Sequence, residues 1–192
     1  PGICRLGEYG QSIKNVMKDL GLEDKYIQLD LYGGFTAIYD FLKKISGVKN
    51  PVKVIKAINL AVRKIFIVDR LENLLSYYRA REIVTGTAEK HYNKALQIIY
   101  NEDKAHRLNK AEKLASDEIK KTEIDENRDV LKVDITGEIF LVQDPYSNQN
   151  IERELGRMGV QTRRSLTVSS FLKDAIIPKI FLKDETHLER SE

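Results

Sequence analysis

The chain has 192 residues, 42% hydrophobic and 32% charged, with nine Tyr, six Phe, no Trp and one Cys. That length suits one ordinary domain, or one domain with a large insertion, and the composition is that of a globular chain able to bury a core rather than of a disordered one. Thirty-two basic against 29 acidic residues leave a formal charge of +3, too near neutral to imply a nucleic-acid footprint outside local clusters. There is no long apolar run of membrane-spanning length, and no basic start followed by an apolar stretch, so membrane insertion and secretion are unsupported and the cytoplasm is the expected place. A lone Cys forms no internal disulfide, in keeping with a reducing compartment. The opening Pro1-Gly2, without Met, points to a piece of a longer protein.

In chain order, the first segment is a Gly-flanked turn around Cys4. Ile13, Val16, Met17 and Leu20 then share one face of a short helix that Gly21 can end. Residues 25–31 alternate apolar and polar before Gly33-Gly34 and predict a strand. Residues 36–46 carry Ile38, Phe41, Leu42 and Ile45 at helical intervals, and residues 47–51 break the pattern. No Gly or Pro interrupts residues 52–82, whose apolar positions predict one long helix. Thr87 offers a hydroxyl to cap the next start, and residues 88–121 predict one long helix or two joined near Asn101. After a polar connection at 122–129, residues 130–142 alternate and then turn continuously apolar at Ile139-Phe140-Leu141-Val142, as in a strand inside a covered sheet. A loop at 143–149, a helix around Ile151, Leu155 and Met158 ended by Gly159, a strand at 160–166 and a helix at 168–177 complete the chain. The strand-helix-strand-helix unit at 130–180 demands a parallel pair with a right-handed crossover. The expected fold is therefore one α/β domain, Rossmann-like, with a parallel sheet and a mostly helical insertion at 35–122.

Several residues carry candidate chemistry. A thiol at a helix start is favoured as thiolate, so Cys4 reads as a ligand or nucleophile, or else as a small buried packing group. Ser147 and Asn148 lie where α/β proteins build clefts, and either contact a ligand or cap the helix that follows. Glu138, in a mostly apolar strand, needs a partner, with an Arg the natural one. Arg79 and Arg81, and Arg163 with Arg164, form basic clusters suited to a phosphate or the acidic end of a coenzyme, or to ion pairs on a solvated face. His91, His106 and His187 lack metal-ligand spacing, and neither a phosphate-cradling Gly-rich loop nor a Ser-centred elbow is present.

Gly2-Ile3-Cys4-Arg5-Leu6-Gly7-Glu8-Tyr9 resembles the Gly-Pro-Cys-Arg-Phe-Gly-x-Tyr element of proteins related to the 2-hydroxyglutaryl-CoA dehydratase D component, grouped with CoA-enzyme activases. Arg79-Ala80-Arg81-Glu82 is similar to the Arg-Pro-Tyr-Glu that ends their long helix. Ile135-Thr136-Gly137-Glu138-Ile139-Phe140 and Pro145-Tyr146-Ser147-Asn148-Gln149-Asn150-Ile151-Glu152 resemble their Val-Gly-Glu-Ile-Tyr strand and Pro-Phe-x-Asn-x-x-Ile-Glu loop, and Leu155-Gly156-Arg157-Met158-Gly159-Val160 and Arg164-Ser165-Leu166 continue the likeness. Ile3, Leu6 and Ala80-Arg81 depart from the pattern.

The resemblance implies an iron-sulfur protein with Rossmann-like domains, acting in the ATP-driven, single-electron activation or dehydration of 2-hydroxyacyl-CoA beside a dehydratase or activase partner subunit. Cys4 would be one ligand of a [4Fe-4S] cluster whose other ligands lie elsewhere in the parent protein. Asn148, Ser147, Glu138 and Arg164 are the candidate substrate-binding residues, with Cys4 expected near the Asn148 loop. Two alternatives belong to other classes. One is an interaction domain whose helices at 52–121 dock a partner or a second copy. The other is an α/β domain that binds CoA or phosphate near Arg163 and Arg164.

Overall fold

The computed structural model describes residues 6–28, 34–48 and 50–175. Two compact units divide the chain, Pro1–Ile55 with Ser170–Glu192, and Lys56–Ser169.

In the first unit, α1 (Leu6–Asp19) begins well before the predicted start and takes Gly7 and Gly10 into its first turns. It ends as its sequence predicts. Gly21, at φ +67°, turns the chain left-handed so that Gly21 N donates to Lys18 O and Leu22 N to Met17 O, a closure that satisfies the last carbonyls. A 3-10 turn (Glu23–Lys25) follows, and Tyr26 Oη donates to Gly10 O at 2.9 Å. The strand expected at 25–31 is absent over 25–28, while residues 29–31 lie outside the described ones. Helix α2 (Gly34–Ser46) matches its prediction.

The second unit is organised by α3 (Pro51–Arg79), which enters it at Lys56. One face of α3 presents Ile67, Leu71 and Leu75 to Ala88, Tyr92, Ala95 and Ile99 of α4 (Thr87–Asn101) and to Leu108, Ala111, Ala115 and Ile119 of α5 (Leu108–Ile119), all buried in one cluster. The four alanines let the two shorter helices approach closely, and of the two expectations for residues 88–121 it is the pair of helices joined near Asn101 that forms. Glu82 sets the start of α4. Its carboxylate accepts from Gly86 N at 2.6 Å and Ala88 N at 2.8 Å, so a residue upstream of the helix takes the capping role expected of Thr87. The Thr87 hydroxyl points instead to Val84 O and Glu82.

The last third holds β1 (Lys132–Ile135) and β2 (Gln161–Arg164), paired in parallel with Lys132 opposite Gln161 and Ile135 opposite Arg164. Between them run α6 (Ile139–Gln143) and α7 (Ile151–Arg157), and α8 (Val168–Ala175) follows β2. The strand-helix-strand order is as predicted, but the fold class is not. The protein is mostly helical with a two-stranded sheet, and no third strand joins it among the described residues. A Rossmann-like sheet needs several covered strands, and the apolar run expected to supply one folds otherwise. Glu138 accepts from Leu141 N at 3.1 Å and caps α6, so Ile139-Phe140-Leu141-Val142 becomes a helical turn that buries Val142 and leaves Phe140 and Leu141 half exposed. A short apolar run suits either conformation, and here the cap selects the helix. Among the described residues, no helix is long and apolar enough to cross a membrane.

Candidate functional site

Helix α3 is two-sided. Opposite its apolar face, Asp69, Glu72, Asn73, Ser76 and Arg79 recur at intervals of three and four, and one turn above another they make a polar stripe facing β2. The sheet is fastened to this stripe. Buried Ser76 donates from Oγ to Thr162 O at 2.6 Å and accepts from Thr162 N at 2.9 Å. Ser169 N, in the first turn of α8, donates to Asp69 Oδ2 at 2.8 Å.

Where the stripe meets α4, the loop after α6 and the start of α7, a cleft of about 160 Å³ opens, lined by Glu72, Arg79, Glu89, Tyr92, Asn148 and Arg164 together with Pro145, Asn150, Glu152 and Arg153. Its charges are paired. Arg164 donates through Nη1 to Glu72 Oε2 at 2.8 Å and to Gln143 Oε1 at 3.1 Å, and grips both oxygens of Glu152 through Nε and Nη2. Glu89 accepts from Arg79 Nη2 at 2.8 Å and from Arg153 Nη2 at 3.0 Å. Three guanidinium groups thus face three carboxylates. Burial raises the Glu72 carboxyl above its ordinary range against the pull of Arg164. Burial pushes the Glu89 carboxyl the same way, but Arg153 and Arg79 hold it below the ordinary value. Tyr92 is raised strongly, by burial first and the adjacent Glu72 second.

Two residues that line the cleft, Arg79 and Asn148, each carry one buried atom without a hydrogen-bond partner, Nε and Oδ1. Both are fixed in place. A Cβ at position 156 would lie 2.3 Å from Arg79 Cδ, so the Arg79 side chain sits where only Gly156 leaves room. Asn148 Nδ2 donates to Val142 O at 3.3 Å, which turns its oxygen the other way. The loop itself is held in an uncommon conformation: Gln149 and Asn150 are successive non-Gly residues at φ +57° and +55°, at a cost of ~1–2 kcal/mol for Gln149 and less for Asn150, whose short side chain tolerates the left-handed region. The Pro145 carbonyl, which accepts from Asn150 N at 2.7 Å, secures the turn.

The structure brings together Asn148 and Arg164 of the candidate residues. Ser147 stays apart, exposed, with its N–H and hydroxyl both on Asp144 Oδ2. Neither Ser147 nor Asn148 caps α7, whose N-cap is Asn150 with no side-chain bond. Glu138 finds no Arg; it caps α6, and its Oε1 is buried without a partner. The basic clusters divide. Arg79 and Arg164 enter the cleft, Arg81 is buried with its guanidinium 4.0 Å from the Tyr77 ring and bonded to Gln161 Oε1 at 2.9 Å, and Arg163 makes an exposed two-point pair with Asp134, its partner in the strand register. Sequence reading missed Glu72, Glu89, Tyr92 and Glu152. The signal that could have found the first was the polar spacing of α3, overlooked because only its apolar positions were followed.

Cys4 lies outside the described residues, and so does its expected approach to the Asn148 loop. Among the described residues, no group of three or more His, Cys, Asp or Glu is placed to hold a metal ion. No protein-family model, no curated protein and no solved structure matches the chain.

Proposed function

We propose that this chain is the ligand-binding part of an iron-sulfur protein of the 2-hydroxyacyl-CoA dehydratase and activase kind, with the α3–α4–α7–β2 cleft as its ligand site. One observation carries the reading. Three of the segments whose sequences carry the resemblance lie far apart in the chain, yet put side chains into the same cleft: Arg79 from the Arg-x-x-Glu at the end of α3, Asn148 and Glu152 from the Pro-x-x-Asn-x-x-Ile-Glu loop, and Arg164 from the Arg-Ser-Leu that begins at the last residue of β2. The uncommon backbone at Gln149 and Asn150 supports it, because costly backbone persists mainly where function gives it a use. Cys4, as a cluster ligand, would act with thiolates from other parts of the parent polypeptide or from a dehydratase or activase partner subunit.

The test is anaerobic reconstitution of the polypeptide that carries this chain with iron and sulfide, read by visible absorbance and electron spin resonance. The expected result is a cluster signal that Cys4→Ser weakens or abolishes. A cluster unaffected by Cys4→Ser removes the thiol from the ligand set, and failure to assemble any cluster, with partner subunit present, overturns the iron-sulfur reading while leaving the cleft to be probed by itself.

A further inference from the structure

Beside the cleft, and sharing Arg79, Glu89 and Arg153 with it, lies a second cavity of about 150 Å³, lined also by Glu82, Gly86 and Arg157. The two differ in charge. The cleft sets three guanidinium groups against three carboxylates, whereas the second cavity sets three, from Arg79, Arg153 and Arg157, against two. Arg153 and Arg157 stand one turn apart on α7, so their side chains are neighbours on one helix face. Both reach water, their side chains being 43% and 51% exposed. Each uses one nitrogen, Arg153 Nη2 on Glu89 at 3.0 Å and Arg157 Nη1 on Glu154 at 2.9 Å, so most N–H donors of both forks lack a protein partner among the described residues. We infer that this cavity takes a phosphate group, its oxygens shared between Arg153 and Arg157. The inference does not rest on the neighbouring cleft being a ligand site.

The carboxylates around the cavity do not bar such a charge. Glu82 spends both oxygens on the start of α4, accepting from Gly86 N, Ala88 N and the Thr87 hydroxyl. Glu89 lies between Arg79 and Arg153, which offset its charge. Glu154 does not line the cavity, and its pair with Arg157 joins two side chains that are both about half exposed; a pair so placed contributes little and gives way readily to another anion. An entering phosphate therefore displaces no buried partner. Arg164 offers no such opening, because its largely buried guanidinium is shared by Glu72, Glu152 and Gln143, and the exposed Arg163 is held at two points by Asp134. A tetrahedral phosphate has oxygens for two forks at once, while a carboxylate presents one edge, which matches one fork. A volume of about 150 Å³ is that of several waters, room for a phosphate.

The experiment is an NMR titration of the full chain with inorganic phosphate, methyl phosphate and acetate, at an ionic strength held constant with sodium chloride and read at the Arg153 and Arg157 Nε–H signals. Inorganic phosphate is expected to shift these signals saturably and to bind about tenfold more tightly than acetate, the value of engaging a second charged fork. Arg157→Gln and Arg153→Gln are each expected to weaken phosphate about tenfold, and Arg163→Gln, outside the cavity, to leave it unchanged. Glu154→Gln, which releases Arg157, is expected to tighten phosphate about twofold, a gain that damage to the fold does not produce. Binding of both phosphates supports the phosphate group of a larger ligand as the occupant, and binding of inorganic phosphate alone supports the free ion. Shifts that rise without saturating, acetate bound as tightly as phosphate, or phosphate affinity undiminished in Arg157→Gln and Arg153→Gln overturns the assignment.

Discussion

The two faces of α3 hold their partners by opposite means. Toward α4 and α5 the contact is apolar and dry, with Leu71, Leu108 and Ile119 almost wholly removed from water. Toward β2 and α7 it is polar, built on the Ser76–Thr162 bonds and the Arg164–Glu72–Glu152 and Arg79–Glu89–Arg153 pairs. An apolar face gains from any close packing, so it fixes helices without demanding particular partners. A polar face in a confined place is stable only when each donor meets its acceptor, and for that reason it defines a particular geometry. The cleft lies on the second face, where the two unsatisfied atoms remain.

The comparison breaks most readily at the core. Leu71, 1% exposed, touches the centre of the helical cluster, and Leu71→Ala should lower unfolding free energy by ~2–5 kcal/mol in urea denaturation, since the site cannot fully collapse. A loss below about 1 kcal/mol would mean that this face is loosely packed. Next comes Arg164→Met, which leaves Glu72 and Glu152 facing each other. We expect a loss of about 2–3 kcal/mol, less than for a fully buried pair because both carboxylates keep some contact with water and can take up a proton. Adding Glu72→Leu and Glu152→Leu to that variant should recover most of the loss; if it does not, Arg164 contributes through something other than these pairs.

The smallest effect is one of pH, and its sign differs between the faces. On the outer side of the helical cluster the Glu118 carboxyl is held down to about 2, chiefly by the hydrogen bond from Lys121 and next by that from His91, against an ordinary value of 4.5. A folded value below the unfolded one gives stability that is present above pH 4.5 and lost as pH falls toward 2. Glu72 is raised instead, by burial, so its contribution is present in acid and lost as pH rises through the raised value. Glu118→Gln should therefore flatten the acid limb of a urea-midpoint profile and leave the neutral limb in place. An unchanged acid limb would place that loss on other carboxylates.

How much of this was readable in advance follows the same division. The apolar spacing of α3, the break near Asn101, the Gly21 and Gly159 stops and the parallel order of β1 and β2 were legible, because each is set by residues a few positions apart. The run Ile139–Val142 misled because four consecutive apolar residues suit a strand or a helical turn equally, and the deciding bond, from Leu141 N to Glu138, is a side-chain choice that hydropathy does not record. Without that strand, and with none formed at 25–28, the sheet stopped at two and the expected fold class failed. The candidate residues split for a related reason: Asn148, picked by its place after a strand, and Arg164, picked as one of a basic pair, lie in the cleft, whereas Ser147, one residue away from Asn148, turns to Asp144.

What the sequence determined by itself, then, was a chain of amphipathic helices joined to a parallel strand pair, since periodicity and punctuation are local and each helix carries its own apolar stripe. Which polar residues share a cleft was decided only in three dimensions. Glu72, Glu89, Asn148 and Arg164 come from four separate elements, and a guanidinium selects its carboxylate by distance and angle after the apolar faces have packed, long after sequence spacing has ceased to constrain the choice.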